Sequence, residues 1–183
     1  MNWFKTEGKF EPGVPTDMAL KGLTLRFWDF SKISIVAVNG LAVGGAANFA
    51  LANFHDVVLA SPEARFKYPF SDLGLTPELG SSFMMPMLTG MVKAKHMMMF
   101  GEWFNAEQAK EMGLVLEVLE KDKLVPRAIQ MAETLAAKKQ GPLRLNKKLM
   151  NLHLRREMDR VMDAENKYIA DAIDSMTPKK SKL

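Results

Sequence analysis

The stretch "ISIVAVNGLAVGGAANFALANF", residues 33–54, constrains the fold more than any other. Its first eight residues are a continuous apolar run rich in β-branched side chains, which reads as a buried strand. Glycines mark the chain at 40, 44 and 45, and the apolar helix "AANFALANF" follows. A buried strand that turns sharply into a buried helix is a unit of an α/β core. Further along, "DVVLAS" (56–61) reads as a second buried strand, "ARFKYP" (64–69) alternates as a third, and "LVLEVLE" (114–120) is a fourth. Between the third and fourth, "SSFMMPML" and "MVKAKHMMMF" are helical, and Asn105 can cap "AEQAKEMG", which stops at Gly113. At the start, residues 1–15 read as irregular. Thr16 can then cap a helix to about Phe30, with Asp17 near its positive end. From Lys123 onward the pattern is helical over 124–139, 143–154 and 155–173, with Gly141-Pro142 as a break. The expected organisation is a core over 1–120, a helical region over 121–176 and a polar tail over 177–183.

The chain has 183 residues, enough for one globular domain with a sizeable core. It has no Cys, which excludes disulfides and thiolate catalysis, and its three His are far apart with no His-x-x-x-His pair, so no metal site is expected. No apolar run approaches the ~20 residues of a membrane span, and no signal peptide is expected at the N-terminus. The net charge of +4 gathers in runs such as "RLNKK" (144–148) and "KKSK" (179–182), without aromatic interleaving or zinc spacing. A solvated helix face or a phosphate-bearing small molecule suits them, and nucleic acid is not expected as a partner. Many of the 15 Met cluster over residues 84–99, which suits core packing, an acyl-chain pocket or a subunit contact. The final residues, Ser181-Lys182-Leu183, match the peroxisome address, which implies an import receptor as a partner.

Two features carry chemistry. The spacing G-x-x-x-G-G from Gly40 to Gly45 is not the dinucleotide fingerprint. It allows close backbone packing, and it equally allows free N–H groups at a helix start to hold an anion or a developing oxyanion. The second feature is Glu78 in "SDLGLTPELGSSF" (71–83), where the nearest other charge is Asp72. A lone carboxylate among apolar groups tends to a raised pKa, which suits proton transfer. The alternative is that Glu78 caps the following helix through Ser81 or its amides.

"IVAVNGLAVGGAANFAL", "HDVVLASPEARFKYPFSDLGLTPELGSS", "FNAEQAKEMGLVLEVLE" and "GPLRLNKKLM" resemble, in that order, the crotonase (enoyl-CoA hydratase/isomerase) superfamily over about residues 20–170. "YPFSDLGLTPELGSS" with a terminal SKL is most similar to its peroxisomal Δ3,Δ2-enoyl-CoA isomerases. The resemblance implies an α/β fold of repeated β-β-α turns, a C-terminal helical region used in trimerisation, and acyl-CoA thioesters as substrates. No cofactor is implied, because the substrate itself carries coenzyme A. It implies Glu78 as the single catalytic glutamate, the N–H of Gly45 as an oxyanion donor, and substrate contacts at Ala42, Val43, Gly44 and Leu75. Separately, Arg144, Lys147 and Lys148 of the basic helices are candidates for the phosphates of coenzyme A, with a solvated face as the equal alternative.

Hydratases of the superfamily use two glutamates. The first position falls on Asn48 counting forward from Gly40, or on Ala50 counting back from Asp56. The second falls on Phe70. None of these is an acid. The family also carries an upstream segment with a "SSGxDL"-like loop that supplies the first oxyanion N–H. Here the chain starts "MNWFKTEGKF", which resembles the stretch after that loop, so the N-terminal third is expected to be lacking. Loss of one such donor would cost about 2.7–4 kcal/mol of transition-state stabilisation. The expected function is a Δ3,Δ2-enoyl-CoA isomerase of fatty-acid β-oxidation. The alternatives are a non-catalytic acyl-CoA-binding protein and, third, a hydratase. A homotrimer or a dimer of trimers is expected through residues 121–173. Apolar stripes at Leu124, Ala128, Met131, Ala132 and Leu135, and at Leu145, Leu149 and Leu152, support it.

Overall fold

The computed structural model describes residues 16–52 and 54–176, with side chains from residue 21 onward. The irregular segment 1–15, the caps at Thr16 and Asp17 and the Ser181–Leu183 address lie outside the described residues or side chains.

Two small sheets form the core. The first contains β1 (Ile35–Val38), β3 (Val57–Ala60) and β6 (Glu117–Val118) in the order β1-β3-β6, all parallel. The second contains β2 (Leu41–Val43), β4 (Arg65–Lys67) and β5 (Phe104–Asn105) in the order β2-β4-β5, with β5 antiparallel. β1 and β3 of sheet one each run through a corner into a sheet-two strand and then into helix, whereas β6 leads directly into the C-terminal helices. β1 and β2 lead to α2 (Gly45–Leu51), whereas β3 and β4 lead to α3 (Ser81–Thr89) and α4 (Met91–Phe100). These are two stacked β-β-α turns, as the motifs imply.

The sequence reading is corrected at four points. The glycine turn contains a strand, β2, too short to register as a hydrophobic run. β1 is half-buried rather than buried, because it is an edge of its sheet. The fourth strand is confined to Glu117–Val118. The C-terminal part is two helices, α6 (Lys121–Ala136) and α7 (Gln140–Met176). Gly141 and Pro142 fall in the first turn of α7, where a missing N–H costs no helical bond, so the helix starts there and runs unbroken for 37 residues. Asn105 caps α5 (Ala106–Glu111) as expected, in a capping box with Gln108.

The core is aromatic and sulfur-rich. Phe66, Tyr68 and Phe104 stack at 5.4–6.0 Å between centroids, and Leu51, Met84 and Met85 are fully buried in the same cluster. Full burial of each such side chain contributes roughly 1.5–3 kcal/mol. Most of the Met cluster's buried members are therefore core, although Met87, Met91 and Met99 remain exposed.

α7 crosses this body as a brace. The Lys21 ammonium of α1 (Thr16–Trp28) donates to Asp163 and lies 3.0 Å from Asp159. The Arg155 guanidinium donates twice to Asp29. α6 packs on β1 and β3 with Leu124 buried, while Ala128, Met131 and Leu135 of its stripe are half-buried and Ala132 is exposed. The α7 stripe differs: Leu145, Leu149 and Leu152 are all more than half exposed. Among the described residues no helix is long and apolar enough to cross a membrane.

Candidate active site

The glycine turn ends in a backbone that few residues can adopt. Gly44 has φ 56° and ψ −121°, a conformation open to glycine at little steric cost. Its N–H donates to Lys67 O at 2.9 Å, and its carbonyl accepts from the Asn48 N–H at 3.0 Å, the first bond of α2. The N–H groups of Gly45, Ala46 and Ala47 therefore precede the helical ladder and have no helical acceptor.

The Glu78 carboxylate lies against this turn. A Cβ placed on Gly45 would stand 2.9 Å from Glu78 Oε1. Glycine at 45 thus makes room for the carboxylate, a role separate from backbone conformation. Glu78 is half-buried, and burial pushes its pKa above the ordinary 4.5. Among the described residues no side chain or N–H is bonded to its carboxylate.

The backbone of Glu78, by contrast, is fixed. Its carbonyl accepts from Asn48 Nδ2 at 2.9 Å, from Ser81 Oγ at 2.7 Å and from Ser81 N–H at 3.1 Å. Asn48 is fully buried on α2, where a hydratase acid would sit by one count, and Ala50, the other count, is buried too. Phe70, at the second hydratase position, is buried and stacked on Tyr68. Beyond Glu78 the chain turns through Leu79 at φ 57° and Gly80 at φ 78°. A left-handed leucine is uncommon and costs of order 1–3 kcal/mol unless its surroundings enforce it.

The alternative role for Glu78, as cap of α3, is taken by another residue. Glu165 of α7 accepts from Gly80 N–H at 2.6 Å and from Ser82 N–H at 2.9 Å, and the Ser82 hydroxyl donates to it as well. Glu165 is 5% exposed. Burial raises its pKa foremost, the three donors oppose that, and the charge of Glu78 raises it further. The sequence reading missed Glu165, since nothing distinguishes one acid in a charged helix.

The remaining expected residues divide. Gly44 and Gly45 join Glu78 directly. Ala42 is buried beneath the turn, opposite Phe66 in the ladder, and Val43 is exposed beside it. Leu75 is half-buried against the core and donates its N–H to Phe70 O. Lys148 and Arg144 are exposed on α7. Lys147, unlike them, is buried. It is 8% exposed, its ammonium donates to Asp56 Oδ2 at 2.7 Å and to Lys32 O at 2.9 Å, and it lies over the Phe30 ring. An ammonium this deep is held by partners inside the chain. His55 is edge-on to Phe49, and among the described residues its buried ring nitrogens have no hydrogen-bond partner. Burial lowers its pKa below 6.5.

The family model described as enoyl-CoA hydratase/isomerase matches residues 12–182. The 1,2-epoxyphenylacetyl-CoA isomerase of Escherichia coli is 33% identical over 156 residues, which are 85% of this chain and 59% of that protein. Enoyl-CoA delta isomerase 3, peroxisomal, of Mus musculus is 36% identical over 72% of this chain and 41% of its own length. The short-chain-enoyl-CoA hydratase of Clostridioides difficile is 34% identical over 74% of this chain and 85% of its own. The match thus spans about half the length of the two isomerases. The crystal structure of an enoyl-CoA hydratase/isomerase from Pseudoalteromonas atlantica superposes with a TM-score of 0.83 at 31% identity, covering 92% of this chain and 66% of that one. The fold is that of the crotonase superfamily.

Proposed function

The chain belongs to the enoyl-CoA hydratase/isomerase family, and on that premise we propose that it moves a double bond from the 3 to the 2 position of an unsaturated acyl-CoA, with Glu78 as the base. One observation carries the choice of isomerase. The only carboxylate at the glycine turn among the described residues is Glu78, set against Gly45 without a hydrogen-bond partner. Both places where a hydratase keeps its acids hold Asn48 or Ala50, and Phe70, all buried.

In this reading the thioester oxygen accepts from the Gly45 N–H, aided by the start of α2. The Glu78 carboxylate removes a proton from C2, and the electron pair delocalises onto the thioester oxygen and C4. The resulting carboxylic acid then returns the proton at C4, giving the conjugated enoyl-CoA and restoring the carboxylate. One group suffices because the same proton can leave and return. Adding water would require a second group to position it. The raised pKa brings the base closer to the working pH, where proton transfer is most effective.

Lys148 and Arg144, exposed on α7, are the candidates for the phosphates of coenzyme A. The exposed face of Leu145, Leu149 and Leu152 supports assembly as a homotrimer or a dimer of trimers. The Ser181-Lys182-Leu183 ending supports delivery to a peroxisome or a related organelle.

The test is a direct assay of 3-enoyl-CoA conversion to 2-enoyl-CoA, beside an assay of water addition to 2-enoyl-CoA. Isomerisation that disappears in Glu78→Gln is expected. Full activity in that variant removes Glu78 from the role. Hydration that rivals isomerisation would make the protein a hydratase, as the similarity to the Clostridioides enzyme also allows. Absence of both reactions with acyl-CoA binding retained would make it a binding protein.

A further inference from the structure

The Glu78 segment is held from two sides by residues far away in sequence. On one side Asn48 Nδ2 donates to the Glu78 carbonyl. On the other, the Glu165 carboxylate takes the N–H of Gly80, the N–H of Ser82 and the hydroxyl of Ser82. Between these anchors lie the two left-handed residues, Leu79 and Gly80. Two turns earlier on α7, the Met158 sulfur occupies the space that a Cβ on Gly80 would need. α7 therefore fixes both the polar groups and the shape of this loop.

We propose that Glu165 is a positioning residue for the isomerase reaction: from α7 it holds the loop that presents Glu78. The proposal rests on the reading of Glu78 as the base. Three arguments lead to it. First, Glu165 takes over the capping of α3, a role the loop's own acid would otherwise fill. The Glu78 carboxylate is left without a competing bond. Second, the strained Leu79–Gly80 turn persists only if its surroundings determine it, and Gly80 N–H to Glu165 is the shortest bond made to it. Third, two carboxylates near one another cannot both ionise as readily as either alone. Burial and the Glu78 charge both act to raise Glu165, while its three donors favour its ionised form. The two carboxylates are thus near one another, while the raised pKa of Glu78 itself has burial as its cause.

Glu165→Gln in the full chain tests this. The amide keeps one acceptor oxygen and removes the negative charge. The expected outcome is a kcat about tenfold lower at nearly unchanged KM. A purely structural residue would lower thermal stability and leave the kcat of the folded fraction in place. Wild-type kcat overturns the proposal. Should Glu165→Gln fail to fold, Ser82→Ala carries the test. Ser82 is exposed, and the variant removes one of the three donors. A kcat two- to threefold lower is expected, and a wild-type kcat overturns the proposal. Glu78→Gln separates the two readings. If it retains activity, the base assignment fails. If it is inactive while Glu165→Gln matches wild type in kcat and KM, only the present inference fails.

Discussion

Glu78 and Lys147 are both charged groups withdrawn from water, yet their surroundings are opposite. The Lys147 ammonium meets Asp56, the Lys32 carbonyl and the Phe30 ring. The Glu78 carboxylate meets a glycine Cα and no donor among the described residues. In the first case the fold satisfies the charge, and in the second it leaves the charge available. Burial alone does not mark a reactive group; burial without compensation does, because a neighbouring ligand can then supply the missing interaction. The same contrast appears within the Glu78 loop, where backbone groups are bonded on both sides and the carboxylate is left over.

The contrast is broken most severely at Glu78 itself. Glu78→Gln should lower kcat about 10³-fold, within the usual range for loss of a general base, while the variant unfolds in urea at or above the wild-type midpoint. A large loss of stability would place Glu78 with Lys147 as a structural charge. Lys147→Met should do the reverse. Removing one partner of a buried pair leaves Asp56 uncompensated, at a cost of about 3 kcal/mol in urea unfolding. The kcat of the folded fraction should stay near wild type, and a selective loss of affinity for coenzyme A would return Lys147 to the binding site.

Gly45→Ala sharpens the comparison with a smaller effect. The added methyl meets Oε1, the far end of a flexible side chain, so the carboxylate swings away at little cost to the fold. We expect a kcat about tenfold lower and a stability change within about 0.5 kcal/mol, as for ordinary exposed changes. Equal losses of stability and activity would show that glycine serves only packing.

The smallest effect is in pH. Because burial raises Glu78, the rate should fall on acidification through a pKa above 4.5. The sign for stability is the opposite. A carboxyl that binds its proton more tightly folded than unfolded favours the fold at low pH, and that contribution is lost as pH rises from 4.5 through the raised value. Glu78→Gln should therefore gain stability relative to wild type at pH 7 and lose that advantage near pH 4, as read by thermal unfolding. An advantage independent of pH would mean that the carboxylate is satisfied after all.

Much of the site could be read from local chemistry. A β-branched apolar run, three glycines and a helix announced the corner, and an isolated acid in an apolar segment drew attention to Glu78. What stayed hidden depends on contacts between distant residues. β2 is three residues long and pairs with β4 across the corner, so it leaves no periodic signal. Lys147 sits in a basic run whose other members are exposed, and only the approach of Asp56 singles it out. Glu165 is one of many charges on α7, and its function is set by Gly80 and Ser82 far upstream. The break expected at residue 154 does not exist because α7 continues past its short-range pattern to meet α1 and the Glu78 loop.

The length and placement of α7 have a consequence for biosynthesis. Glu165 is 85 residues downstream of Gly80, and Lys147 is 91 residues downstream of Asp56. At a typical elongation rate of about 5–20 residues per second, the nascent loop waits on the order of ten seconds for its cap. During that interval the left-handed turn at Leu79 lacks the bonds that enforce it, and the Met158 sulfur has not yet filled the space above Gly80. The Glu78 loop is thus translated early and completed late, and its final geometry reports that nearly the whole brace has been made.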